Sequence, residues 1–182
     1  MSTPIAVFGS SEPVPGESAY ELAERVGYLL GEAGYAVVTG GYGGVMEAAS
    51  RGARTAGGRT IGVTCAAFGE RSPNAYLTEV REGLDLHDRT RMLIDLAQGF
   101  AVLEGKAGTL AELAFLWALQ RAGCLGTRPV VLLGDSYRDL LPVLERSVIL
   151  EPEQLKSTRL ASSPEELLQM IDKATGRGAG RS

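Results

Sequence analysis

Phe100-Ala101-Val102-Leu103-Glu104-Gly105-Lys106-Ala107-Gly108-Thr109-Leu110-Ala111-Glu112 reads as a strand that turns through glycines into a helix. Four uniformly apolar residues are the pattern of a strand buried on both faces. The helix is expected from Leu110 to Arg121. Such a turn ends on a helix N-terminus, where unpaired N–H groups and the positive dipole end favour an anion, phosphate above all. Glu112 follows Thr109 by three positions, so hydroxyl and carboxylate share one helix face. The same Thr-x-x-Glu spacing is also that of a capping box, with Thr109 as N-cap and no chemical role for either residue. Upstream lies His87-Asp88-Arg89-Thr90-Arg91-Met92. An arginine, a phosphate cradle and a carboxylate brought together suit chemistry on a phosphorylated sugar.

Working outward, strands and helices alternate along the chain. Strands are expected at 5–8, 35–38, 60–64, 100–103, 129–133 and 159–161. Helices are expected at 17–32, 45–55, 86–97, 110–121, 137–148 and from Ser163-Pro164, an N-cap followed by proline at the first helical position, to about 174. Residues 66–77 form the longest irregular stretch, suited to a flap over a site. This pattern predicts an α/β fold: one Rossmann-like domain over 1–175, a doubly wound parallel sheet with helices on both faces. The Gly/Arg-rich tail 176–182 is expected to be disordered. In such sheets ligands bind at the carboxyl ends of the strands. Gly9-Ser10-Ser11, the cluster Gly40-Gly41-Tyr42-Gly43-Gly44 and Gly105–Thr109 all follow strands and so fall on that edge.

Alternative motifs fail on spacing. From Gly41, a G-x-G-x-x-G dinucleotide fingerprint needs glycine where Met46 stands, and Gly105-Lys106 lacks the Ser or Thr of a P-loop. The 182 residues suit one domain, and 45% hydrophobic and 22% charged residues are ordinary for a globular protein. The formal net charge of −4 offers no basic field for nucleic acid. Fifteen arginines stand against three lysines, Lys106, Lys156 and Lys173, which draws attention to Lys106 in the anion loop. Cys65 and Cys124 have no metal-ligand spacing, the single histidine, His87, cannot build a His-rich site, and no metal is expected. His87 beside Arg89 is expected to help shape the pocket; Met46 either packs on a base or fills core. No apolar run approaches a membrane span and no secretory signal is evident, so a cytoplasmic protein is expected.

Arg89 with Gly105-x-x-Gly108-Thr109-x-x-Glu112 resembles the paired signature of the LONELY GUY (LOG) phosphoribohydrolases, also known as "possible lysine decarboxylases", which reads H-E-R-K and then P-G-G-x-G-T-x-x-E. Thr39-Gly40-Gly41-Tyr42-Gly43-Gly44-Val45-Met46 is similar to that family's G-G-x-x-G-L/V-M element, and Phe8-Gly9-Ser10-Ser11 supplies a third match in the expected order. The family's first Pro-Gly-Gly is here Glu104-Gly105-Lys106, and its Arg-Lys pair is Arg89-Thr90. A related branch includes proteins resembling molybdenum-cofactor carriers. A lysine decarboxylase proper needs a pyridoxal-binding lysine with ring partners, and no such set is present.

The resemblance implies hydrolysis of the N-glycosidic bond of a nucleoside 5′-monophosphate, a cytokinin riboside monophosphate or AMP-like compound, releasing base and ribose 5-phosphate. The alternative is a non-catalytic carrier of a nucleotide or phosphorylated, molybdenum-cofactor-like ligand. A structural role for the fold alone is a third reading. Arg89 and Glu112 are the expected catalytic pair, and no cofactor is required. Gly9, Ser10, Ser11, Gly40, Gly41, Gly43, Gly44, Met46, Gly105, Lys106, Gly108 and Thr109 are the expected phosphate- and nucleotide-binding residues. Lys106 either pairs with Glu104 or reaches the ligand. Leu113-Ala114-Phe115-Leu116-Trp117-Ala118-Leu119 is apolar on every side, which predicts a homodimer; the resemblance implies the same. No nucleic-acid or membrane partner is expected.

Overall fold

The computed structural model describes residues 2–69, 71–147, 150, 154 and 157–177. In chain order the elements are β1 (Pro4–Phe8), α1 (Ser18–Glu32), β2 (Ala36–Thr39), α2 (Val45–Thr55), β3 (Thr60–Cys65), a short 3-10 turn (Ala66–Phe68), β4 (Glu79–Gly83) and α3 (Leu86–Leu96). They continue with β5 (Phe100–Leu103), α4 (Ala107–Arg121), β6 (Val130–Leu133), α5 (Ser136–Arg146), β7 (Thr158–Ala161) and α6 (Pro164–Thr175). Seven parallel strands form one sheet in the order β4-β3-β2-β1-β5-β6-β7. The fold is a Rossmann-like α/β sheet with helices on both faces.

Strand periodicity divides the core in two. Ile5, Val7, Ala101, Leu103, Val131 and Leu133 face one side, where Tyr20, Ala23, Val26 and Leu30 of α1, Ala49 and Ala53 of α2, and Leu167 and Ile171 of α6 cover them. Ala6, Phe8, Phe100, Val102, Val130 and Leu132 face the other, under Leu93 and Ile94 of α3, Leu113, Leu116 and Trp117 of α4, and Tyr137 of α5. Alternate residues of one strand thus enter different cores. Helices α1 and α2 approach so closely that a Cβ on Gly27 would collide with the Ala49 carbonyl.

Two expectations need correction. The strand β4 carries Glu79, Arg81 and Glu82 and half-exposed Val80, so it lacks the apolar run of a central strand. It is an edge strand, and charged side chains are what protects an edge from further pairing; Glu79 pairs with both Arg59 and Arg81. Among the described residues its link from β3 holds the 3-10 turn and irregular chain but no α-helix, so strand–helix alternation breaks there. At the C-terminus, Gly176 caps α6 in the left-handed conformation and Arg177 packs on Tyr35, with its guanidinium 4.7 Å from the ring centroid. The packed chain therefore runs past the expected tail boundary at 176, and 178–182 lie outside the described residues.

The sheet order reverses beside β1: the chain moves outward through β2, β3 and β4, then returns to place β5 on the other flank of β1. The loops leaving β1 and β5 diverge there, which opens a crevice at their carboxyl ends. Register pairs Phe8 with Val102, bringing Gly9 and Glu104 to the same edge.

Candidate functional site

The cleft at this switch point is about 150 Å³ and is lined by residues from every glycine-rich turn read in the sequence. Gly9, Ser10 and Ser11 enter from β1, Gly40 and Met46 from the β2–α2 turn, Arg89 from α3, and Lys106, Gly108, Thr109 and Glu112 from the β5–α4 turn. Gly41, Gly43, Gly44 and Gly105 shape the turns behind it without lining it. Backbone bonds lock the walls together. Ser10 N donates to Glu104 O at 3.1 Å, and Val45 N donates to Ser10 O at 2.8 Å.

The helix α4 begins at Ala107, three residues earlier than expected, with Lys106 as an N-cap that offers no side-chain bond. Thr109 is thus the third helical residue rather than the cap, and the capping-box role for Thr109 and Glu112 does not hold. The N–H groups of the first turn have no carbonyl within the helix. Gly108 and buried Thr109 bring that end of the dipole to the cleft. This is the geometry of an anion seat.

Arg89 is fixed by its own helix and by three surrounding segments. Asp85 caps α3 by accepting from Asp88 N at 2.8 Å, which sets the helix start and the direction of Arg89. The guanidinium is almost fully buried. Its Nε donates to Val63 O at 2.8 Å and its Nη2 to Gly40 O at 3.1 Å. A Cβ on Gly40 would occupy the place of Nη2, so only glycine admits the arginine. Phe68 and Tyr42 bring their rings within 5.1 and 5.9 Å of the guanidinium carbon. Two of its nitrogens are therefore spent on the protein frame, and Nη1 faces Glu112.

Glu112 Oε1 lies 3.9 Å from Arg89 Nη1, an ion-pair distance too long for a hydrogen bond. Among the described residues its carboxyl has no hydrogen-bond partner. Burial pushes its pKa up to about 7, and the nearby Arg89 charge pulls the other way without cancelling that. A carboxyl that titrates near neutrality beside a fixed cation is suited to proton transfer or to facing a transient positive charge.

Glu112 and Arg89 also wall a second, largely apolar compartment of about 400 Å³ on the far side, formed with Phe68, Leu86, Ala111 and Phe115. His87 lines this outer groove, its side chain otherwise fully exposed, and not the cleft beside Arg89 as expected. Lys106 pairs with Glu12, Nζ to Oε1 at 2.6 Å, and not with Glu104, whose Oε1 instead accepts from Ser136 N at 2.8 Å.

Three cleft residues stand outside the sequence motifs: Val7, Phe68 and Arg71. The signal for the last two was the length of the irregular 66–77 stretch. Asn74 ties that stretch to the glycine cluster, its Nδ2 donating to Gly41 O at 3.2 Å and Tyr42 O at 3.0 Å. Among the described residues no three His, Cys, Asp or Glu side chains converge as metal ligands, and no helix is long and apolar enough to cross a membrane.

Comparison with known proteins follows the same lines. The cytokinin riboside 5′-monophosphate phosphoribohydrolase of Rhodococcoides fascians is 30% identical over 150 residues, 80% of this chain and 75% of that protein. The molybdenum cofactor binding protein of Rippkaea orientalis superposes with a TM-score of 0.77 at 25% identity, covering 96% of this chain and 98% of that one. The molybdenum cofactor carrier protein of Chlamydomonas reinhardtii shares the fold, with a TM-score of 0.74 at 22% identity over 97% and 99% of the two chains. The model of the SLOG cluster4 family matches residues 2–167. With its ordered glycine turns and the Arg89–Glu112 pair on one sheet edge, the chain belongs to the SLOG cluster4 family.

Proposed function

We propose that this protein hydrolyses the N-glycosidic bond of a nucleoside 5′-monophosphate, releasing the free base and ribose 5-phosphate. One observation carries the reading: Glu112 lines both the cleft that ends on a helix N-terminus and the largely apolar groove beside it. A 5′-phosphate seated on the first turn of α4, against Gly108 and Thr109, directs its ribose toward Glu112 and its base toward the apolar side. The relative named as a phosphoribohydrolase supports the same assignment.

The reaction adds water across the C1′–N bond. As the C1′–N bond breaks, positive charge grows on the ribose, and an ionised Glu112 faces that charge or takes a proton from the attacking water. The water oxygen bonds to C1′ as the C1′–N electrons leave with the base, and the proton that water gives up, to Glu112 or to solvent, balances the one the base takes up. Arg89, held by Val63 O and Gly40 O, keeps a fixed cation 3.9 Å from Glu112 and favours its ionised form against burial. Ser10, Ser11, Met46 and Tyr42 complete the walls.

The test is incubation with a panel of nucleoside monophosphates and chromatography for free base. A second reading, a carrier of a phosphorylated cofactor, is favoured by the likeness to the Rippkaea orientalis protein over nearly the whole chain. It expects ligand-induced thermal stabilisation with no product; ligand at 100 times its dissociation constant stabilises by about 2.7 kcal/mol.

A further inference from the structure

Lys106 and Glu12 meet across the mouth of the cleft, where the loop after β1 faces the turn after β5. Both side chains are mostly exposed, so this pair is a weak contact made in water and open to exchange. The backbone of Glu12 is placed independently of Lys106. Its N–H donates to Ser10 Oγ at 3.2 Å, and Ser10 is bonded to Glu104 O and Val45 N. Lys106 is the N-cap of α4, the helix end read above as a phosphate seat, and its ammonium reaches Glu12. Lys106 lines the cleft and Glu12 stands just outside it.

The pairing has an electrostatic result. A single phosphate on α4 is satisfied by backbone N–H groups and the Thr109 hydroxyl. A second phosphate, extending toward the mouth, meets a carboxylate, while Lys106 is paired with that carboxylate and offset by it. We propose that Glu12 is a specificity-determining residue that cancels Lys106 and restricts the site to ligands bearing one phosphate, excluding diphosphates. This rests on the reading of α4 as a phosphate seat and not on any hydrolysis.

Calorimetric titration with inorganic phosphate and with pyrophosphate tests it on the full chain. Wild type is expected to bind pyrophosphate no more tightly than phosphate. Glu12→Gln frees Lys106 and should raise pyrophosphate affinity about tenfold while phosphate affinity changes less than about threefold, the scale of one unit charge near the surface. The gain should vanish in the Glu12→Gln, Lys106→Gln double variant. It should also shrink in 1 M salt, where screening shortens the reach of a charge to about 3 Å. Equal changes for both anions, or none, overturn the proposal while leaving the phosphate seat intact. Absence of phosphate binding in wild type and every variant overturns the seat itself and the proposal with it. Both side chains are exposed, so unchanged melting of each variant is expected and separates charge from misfolding.

Discussion

Glu112 sits between two opposing influences: burial favours its neutral form and Arg89 its charged one. Because its folded pKa of about 7 lies above the ordinary 4.5, folding favours the protonated group. The stability this provides is fully present below pH 4.5 and is lost as pH rises through about 7. The shift corresponds to about 3 kcal/mol at most. Glu112→Gln mimics the protonated form, so its stability should match wild type near pH 4 and exceed it at pH 8. Chemical denaturation at the two pH values measures this, and a constant difference would show that Glu112 does not titrate in this window. Turnover by the wild type should rise with pH through about 7 if the carboxylate acts ionised; a pH–rate profile falling across that range would give Glu112 the role of proton donor instead. Arg89 has a heavier structural share than its motif implies. Arg89→Ala strips donors from two buried carbonyls and the countercharge from Glu112, so a loss of about 3 kcal/mol is expected along with lost activity. An unchanged melting temperature would contradict the bonds to Val63 and Gly40.

At the scale of elements, the α1–α2 contact makes the clearest prediction. Replacing a helical glycine by alanine ordinarily gains about 0.5–1 kcal/mol. At Gly27 the added methyl strikes the Ala49 carbonyl, and overpacking costs about 1–3 kcal/mol, so Gly27→Ala should lower the denaturant midpoint. A raised midpoint would mean the helices can separate freely. These helices were legible in the sequence because amphipathic spacing reports burial directly, and the central strands because they are apolar on both faces. The strand β4 was not, since an edge strand is half solvated and Glu79, Arg81 and Glu82 give it the composition of a loop. The start of α4 was misplaced for a different reason. Thr109 and Glu112 have capping-box spacing, but the helix begins at Ala107, after an N-cap, Lys106, whose side chain caps nothing. The same motif therefore serves the cleft and not the helix end. Phe68 and Arg71 left no trace beyond loop length, because contacts made by irregular chain have no period to read.

Across the whole molecule, the switch point and an uncovered apolar face lie side by side. Leu86 and Phe115, each nearly half exposed, line the apolar groove; Leu110 is likewise nearly half exposed and Leu84 almost wholly so. We infer that a second copy of the chain covers this face, as the apolar sequence of α4 predicts, and light scattering at micromolar concentration should give the mass of a dimer. A monomer, or a dimer that Phe115→Glu leaves intact, would contradict that assembly. The arrangement of cleft and groove, with Glu112 lining both, is tested most directly by base release from a panel of nucleoside 5′-monophosphates. Wild type should yield free base and ribose 5-phosphate in equal amounts from at least one member, and Glu112→Gln, still folded, should be slower by about 10²–10⁴-fold. No release by the wild type from any member, while one of them raises its melting temperature, would contradict hydrolysis and leave a carrier.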